Sequence, residues 1–380
     1  MQLSRRHFVM PLVALTALAL AFLAGPRVSH WLRDAPAAKI SDEAYWKMVT
    51  EFSEPSGYFR SDNLISNETT YQLVIPDLQK LTPSDGVYIG VGPEQNFTYI
   101  AALKPRIAFI IDIRRQNLLL HLMYKAIMEV SNDRAEFVSK LFSRPRPPGL
   151  SATSTARVIF EAFDDMQPNE DLYQANLDEI YNRLTKVHGF TLFNTDKPGF
   201  TYIYRAFFIG GPTINYSFPR QFGGRWFPSY GDLMMETDRD GANHAFLASE
   251  ESYKALREMQ VNNQIVPLTG DFGGDKAIRA VGQYLKEQQQ TVSYFYLSNV
   301  EQYLFQSDAW QRFFGNVATL PLDERSVFVR AFFNMGARFP PPDMNGTVQS
   351  ATLLEPMASA LDAFHNGEIV NYGDVITRSK

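Results

Sequence analysis

The chain has 380 residues, of which 36 are Lys or Arg and 41 Asp or Glu, giving a net charge of −5, and it has no cysteine. With 45% hydrophobic and 20% charged residues it has the composition of a folded globular protein, which excludes a collagen, a disordered tail and a disulfide scaffold. The acidic balance speaks against nonspecific nucleic-acid binding, and the missing cysteines exclude zinc–thiolate sites and cysteine nucleophiles.

Residues 1–6 are basic, and residues 8–23 are apolar apart from one Thr. Ala35-Pro36-Ala37 is a small-x-small site, which completes the layout of a secretory signal. Within it, Ser4-Arg5-Arg6-His7-Phe8-Val9 fits the twin-arginine pattern. A twin-arginine-type signal peptide is therefore expected over 1–37, read by the twin-arginine export machinery. The rest of the chain would then be periplasmic or otherwise exported. The alternative is an uncleaved anchor, with this segment as the only contact with the membrane. Its apolar run falls short of the roughly 20 residues of a span.

Residues 39–80 read as mostly helical, broken at Pro55-Ser56-Gly57, with Ser41-Asp42-Glu43 as a helix start. Residues 86–92 form a short apolar run ending in glycines, followed by Pro93 and a helix to about Lys104. Residues 106–113 read as a buried strand ending in Asp112, and 115–130 return to helical period. This is the strand–helix–strand–helix register of a parallel sheet. From Ser143 to about Gln260 the rhythm breaks. Arg144-Pro145-Arg146-Pro147-Pro148-Gly149 reads as a linker or rigid turn. Tyr202-Ile203-Tyr204-Arg205-Ala206-Phe207-Phe208 alternates like a strand, and Ser249 caps a helix to Met259. The rhythm resumes with strands at 265–272, 291–299 and 326–333, separated by helices at 275–288 and 300–314.

In an open α/β sheet, ligands bind at the carboxyl ends of the strands. Gly90 and Gly92 let a ligand approach the backbone, and the helix after them offers free N–H groups and a positive dipole end. Asp112 can accept two hydrogen bonds from a ribose diol, and Asp271 can accept from an adenine amino group. Ser298, Asn299 and Glu301 fall across the pocket, near a substrate; Asn299 and Glu301 are the catalytic candidates. Ser66, Asn67 and Glu68 lie in a polar run that is either a helix cap or a flap contacting ligand. Gln95 and Asn96 divide the same way, between cap and ligand contact. Arg114-Arg115 is either an anion attractor or a helix start paired with acids. No histidine pair has metal-ligand spacing, and Asp238-Arg239-Asp240-Gly241 begins but does not complete a calcium loop, so no metal is expected.

The order of these features resembles the class I S-adenosylmethionine-dependent methyltransferase superfamily. The resemblance rests on Gly90-x-Gly92, on Asp112 about 20 residues later at the end of the second strand, and on Gly270-Asp271. Glu94 stands where that family often has a third glycine, and an insertion of about a hundred residues must separate the second and third strands. More closely, the chain is similar to a set of bacterial exported methyltransferase-like proteins. The shared segments are Glu54-Pro55-Ser56-Gly57-Tyr58-Phe59, Ser61-Asp62-Asn63-Leu64-Ile65-Ser66-Asn67-Glu68, Gly90 to Phe97, Asp112-Ile113-Arg114-Arg115 and Ser298-Asn299-Val300-Glu301. The resemblance implies an α/β, Rossmann-like methyltransferase-type three-layer sandwich with a mostly parallel sheet, an N-terminal helical extension and a large insertion. The implied division is a signal at 1–37, a helical cap at 38–85, two parts of the Rossmann-like domain at 86–144 and 261–380, and the insertion at 145–260. It also implies S-adenosylmethionine or a related small nucleoside as ligand, held by Gly90, Gly92, Asp112 and Asp271; Gln95, Asn96, Ser66, Asn67 and Glu68 join them as binding candidates on their own chemistry.

The address and the cofactor conflict, because S-adenosylmethionine is made in the cytoplasm. A ligand loaded before export would serve one turnover. Three readings therefore stand: a nucleoside-binding methyltransferase-type protein, a catalytically silent periplasmic binding or interaction module on the same fold, or an unrelated enzyme on an α/β sheet.

Overall fold

A computed structural model describes residues 39–81, 85–219, 227–333 and 350–380. The segment expected to be a signal, with Arg5 and Arg6, lies outside the described residues, as do residues 220–226. The chain divides into units at 1–38 and 39–380, and the second is described below. Among the described residues no helix is long and apolar enough to cross a membrane.

The Ser41 Oγ accepts the Ala44 N–H at 3.1 Å and starts α1 (Asp42–Glu51), whose first turn carries two acids. Residues 53–70 then run without helix or strand, so the expected helical cap is only partly helical. A 3-10 turn (Tyr71–Val74) and α2 (Ile75–Leu81) close this part. Next come β1 (Val87–Gly90), α3 (Gln95–Leu103), β2 (Ile107–Asp112) and α4 (Arg115–Glu129), close to the expected bounds. Both strands are buried along their whole length, as interior parallel strands require.

The excursion between β2 and β3 is helical: α5 (Arg134–Phe142), α6 (Ala156–Asp164), α7 (Glu170–Asn182), α8 (Asp196–Gly210), α9 (Tyr230–Met235) and α10 (Glu250–Val261). The strand expected at residues 202–208 is thus corrected to the second half of α8. Phe200, Ile203, Tyr204 and Phe207 are buried while Tyr202 is exposed, a spacing of three and four that a strand would split between two faces. The Ser249 cap on α10 is as expected.

The chain continues with β3 (Ile265–Thr269), α11 (Ala277–Glu287), β4 (Val292–Ser298), α12 (Val300–Gln306), α13 (Trp310–Val317) and β5 (Val327–Phe333). The single helix expected over 300–314 is two, because Asp308 turns the chain with a positive φ of 56°. Then β6 (Ser350–Pro356), α14 (Met357–His365) and α15 (Tyr372–Arg378) complete the chain.

The sheet order is β3-β2-β1-β4-β5-β6. The first five strands are parallel, and β6 runs antiparallel to β5, with Ser350 opposite Phe333. Helices cover both faces, as the pleat of β4 records. Tyr296 stacks toward Tyr99 of α3 (5.3 Å between centroids), and its neighbour Phe295 points oppositely to Phe313 of α13 (6.2 Å). The architecture is an α/β sandwich of Rossmann-like order.

Candidate functional site

Strand order reverses between β1 and β4, and the crevice at their carboxyl ends is where open α/β sheets take ligands. The turn after β1 is built tightly. A Cβ on Gly90 would lie 2.0 Å from the Asn96 Oδ1, so only glycine fits. Gly92 has a φ of +78°, which favours glycine. The Asn96 Nδ2 donates to the carbonyls of Val91 (2.9 Å), Gly92 (3.2 Å) and Pro93 (2.8 Å), while its Oδ1 accepts from the Tyr88 hydroxyl at 2.9 Å. Asn96 is therefore the staple of the glycine turn. His121 of α4 donates from Nε2 to the Gly92 carbonyl at 2.8 Å; the carbonyl only accepts, which fixes the tautomer. Burial lowers the His121 pKa to about 4, so the ring is neutral and its Nδ1 is a bare acceptor.

Residues 53–70 cross the carboxyl ends of the sheet in the order of its strands. At β3, Ser53 and Glu54 bond to Thr269, and the Glu54 carboxylate accepts the N–H groups of Asp271 (3.0 Å), Lys276 (2.8 Å) and Ala277 (2.8 Å) at the start of α11. At β2, the Gly57 N–H donates to Ile113 O (2.8 Å), and Ser56 Oγ accepts the Arg115 N–H (3.1 Å) at the start of α4. At β1, Ser66 donates its N–H to the Glu94 carboxylate (3.1 Å) and its hydroxyl to Gln95. At β4, Glu68 accepts from Tyr296 (2.6 Å) and Ser298. At the β5–β6 edge, Thr69 and Thr70 bond to Ser350 at 3.0 Å each. This strap meets the free N–H groups at two helix starts that a ligand's anionic group would otherwise meet.

Of the predicted residues, Ser66, Glu68, Gln95, Gly90, Gly92 and Asn96 come together at β1 and β4. Ser66 and Glu68 do not cap the next helix, which begins only at Tyr71. Asn67 lies between them in the strap. Asp112 sits at the end of β2, where Arg114 covers it. Asp271 follows β3 and accepts the Gly273 N–H at 2.8 Å. Arg114 also donates to the carbonyls of Ser61 (2.8 Å) and Asp62, while Arg115 pairs with Asp196 at 2.7 Å. Asn299 bonds to Gln302 within its own turn (3.3 Å). Glu301 gives both carboxylate oxygens to Arg330, which also holds Glu355 (2.7 Å) in a buried network with Arg378. Its position is structural. Asp238 spends its carboxylate on the N–H groups of Asp240 and Ala242 and on His244.

The electrostatics of the crevice turn on two acids. Burial raises the Glu68 pKa, although Ser298, Tyr296 and Gln95 donate to it. Burial raises Glu94 further, to about 8, against hydrogen bonds from backbone N–H groups and with Glu68 adding to the rise. What lowers either pKa is hydrogen bonding, not a neighbouring cation. Glu94 Oε2, His121 Nδ1 and the side-chain amide of Asn117 are buried with no hydrogen-bond partner. Asn117 and His121 share one face of α4, one turn apart. A cavity of about 130 Å³ opens beside the strap, between Tyr58, Phe59 and Arg60 and the segment Tyr216–Phe218. A larger one, about 430 Å³, lies in the excursion between α6 and α9, lined by Phe160, Asp164, Asn215 and Asp232, away from the strand ends.

A family model described as "Domain of unknown function (DUF7790)" matches residues 63–211 and 220–360. The chain belongs to this family. The matched residues take in the second half of the strap, the glycine turn, Asp112 and the sheet through β6. No curated protein matches the chain.

Sequence reasoning did not find Glu54, Asn117, His121 and Tyr296 as parts of the crevice. Glu54 stood in a shared segment, but nothing local pointed to its role, because its partners lie more than 200 residues away along the chain. Glu94 did carry one, as the residue standing in place of a third glycine.

Proposed function

We propose that the crevice between β1 and β4 binds S-adenosylmethionine or a related cationic nucleoside. The observation that supports this is the pair Glu68 and Glu94, buried beside the glycine turn and held without a cation, with Glu94 Oε2 unpartnered. A buried carboxylate kept protonated is ionised most readily by an opposite charge brought next to it. The ligand's ammonium and sulfonium carry such charge, whereas the two phosphates of a dinucleotide do not. Gly90 and Gly92 allow the approach, Asp112 takes the ribose and Asp271 lies by the adenine. When bound, the ligand supplies an activated methyl group. Transfer then needs proximity and in-line orientation, and a base only if the acceptor must lose a proton.

The second reading, a catalytically silent binding or interaction module, is favoured by the strap, which fills the crevice with the chain's own groups. Both readings keep the exported address proposed from residues 1–37, with the ligand loaded before twin-arginine export in the first. Calorimetry on the full chain with S-adenosylmethionine and S-adenosylhomocysteine separates them. Micromolar binding, weaker for S-adenosylhomocysteine because it lacks the sulfonium charge, is expected. No binding by folded, ligand-free protein would leave the silent module.

A further inference from the structure

We propose that residues 53–62 are an autoinhibitory strap that occupies the nucleoside crevice over β2 and β3 and must lift before a ligand enters. This rests on the nucleoside reading above. The two halves of the 53–70 segment are built differently. In the second half, Leu64, Ile65, Ser66 and Glu68 are buried and tied to β1 and β4, and Thr70 holds a left-handed φ of 73°, unfavourable for a β-branched residue. Its bonds to Ser350 hold that turn, which makes it the fixed end. In the first half, Pro55, Ser56, Gly57 and Tyr58 are exposed, Tyr58 by 84%. This half is held mainly by polar contacts at β2 and β3: Glu54 on the start of α11, Ser56 on the start of α4, Gly57 on Ile113, and Arg114 on the carbonyls of Ser61 and Asp62. Its one packed ring is Phe59, half-buried, edge-on to Tyr303 of α12 (5.2 Å) and under the Arg114 guanidinium. Segments with few buried apolar contacts open at low free-energy cost. The contacts it makes lie beside the groups that would take ribose and adenine: Ser61 and Asp62 on Arg114, which is paired with Asp112, and Glu54 on the backbone N–H of Asp271, whose own carboxylate accepts from Gly273. Closure and ligand therefore compete for the same positions, and the closed fraction lowers the apparent affinity.

The test compares the full wild-type chain with Glu54→Gln, which removes the charge on the α11 start, and with Gly57→Val. A Cβ at 57 would meet Ile113 Cγ1 at 2.5 Å, so the second variant pushes the strap off by bulk without touching a charged group. Hydrogen exchange at 54–62 should rise about tenfold in both, with β1 and β2 unchanged, and S-adenosylmethionine should bind about tenfold more tightly. Slow exchange at 54–62 in both variants would overturn the strap. Raised exchange with unchanged affinity would overturn the inhibition and leave the nucleoside reading standing. Raised exchange with no binding by any of the three proteins would overturn the nucleoside reading instead, while establishing that the strap opens as a separate unit.

Discussion

Arg114 closes over Asp112. The Asp112 carboxylate accepts the Arg114 backbone N–H at 2.9 Å and its Nε at 3.3 Å, and both side chains are buried. The same guanidinium reaches the carbonyls of Ser61 and Asp62 and lies 5.6 Å over the Phe59 ring. The strand-end acid that a ribose diol would use is thus already bonded, and one arginine links it to the strap.

Asp112→Ala should weaken S-adenosylmethionine binding by about 1–3 kcal/mol, the loss of charge-assisted hydrogen bonds. The Arg114 bonds to the strap carbonyls survive this change, so its sign is not reversed by strap release. Calorimetry on the variant checks it, and unchanged affinity would remove Asp112 from the ribose position.

Arg330→Met should destabilise the fold by about 3–5 kcal/mol, because it leaves Glu301 and Glu355 buried with their main partner gone. The denaturant midpoint reads this directly. If Glu301→Gln instead lost ligand binding at unchanged stability, Glu301 would return to the site.

Glu94 sets a pH dependence. Burial lifts it from 4.5 to about 8, so between those values the folded chain holds a proton that the unfolded chain has released. Its stabilising contribution is whole below pH 4.5 and declines as pH rises to about 8. Glu236, also lifted to about 8 by burial, acts in the same direction. In Glu129, burial is outweighed by hydrogen bonds and charge from His188 and Lys125, and the pKa falls to about 2. Its contribution is present above pH 4.5 and lost as pH falls toward 2. Glu94→Gln should flatten the stability profile on the neutral side by at most about 1.4 kcal/mol per pH unit. Denaturant unfolding of both proteins across this range is the measurement, and parallel profiles would count against a protonated Glu94.

Replacing Arg5 and Arg6 together by Lys should retain the protein in the cytoplasm, assayed by fractionation. A double variant that still reaches the periplasm would identify a general secretory signal, and folded export with bound ligand would fall with it.

The five parallel strands were legible because each is a short buried run followed by a turn or a helix start, signals that act within a few residues. The alternation at residues 202–208 misled because Tyr, Ile and Phe suit strands, while the Phe200, Ile203, Tyr204 and Phe207 spacing suits a helix equally well. Packing of that face against α4 and α5 decided for α8. Glycine turn and strand-end acid could be placed from order alone.

Neighbouring residues alone decided the α/β rhythm and the positions of Gly90, Gly92 and Asp112 at the strand ends. The path of residues 53–70 and the company kept by Glu54, Glu68 and Glu301 were decided by tertiary structure. Glu54 meets Ala277 across 223 residues of chain and Thr69 meets Ser350 across 281. Irregular backbone has no period to read, and a carboxylate's partner is whichever donor the fold brings to it.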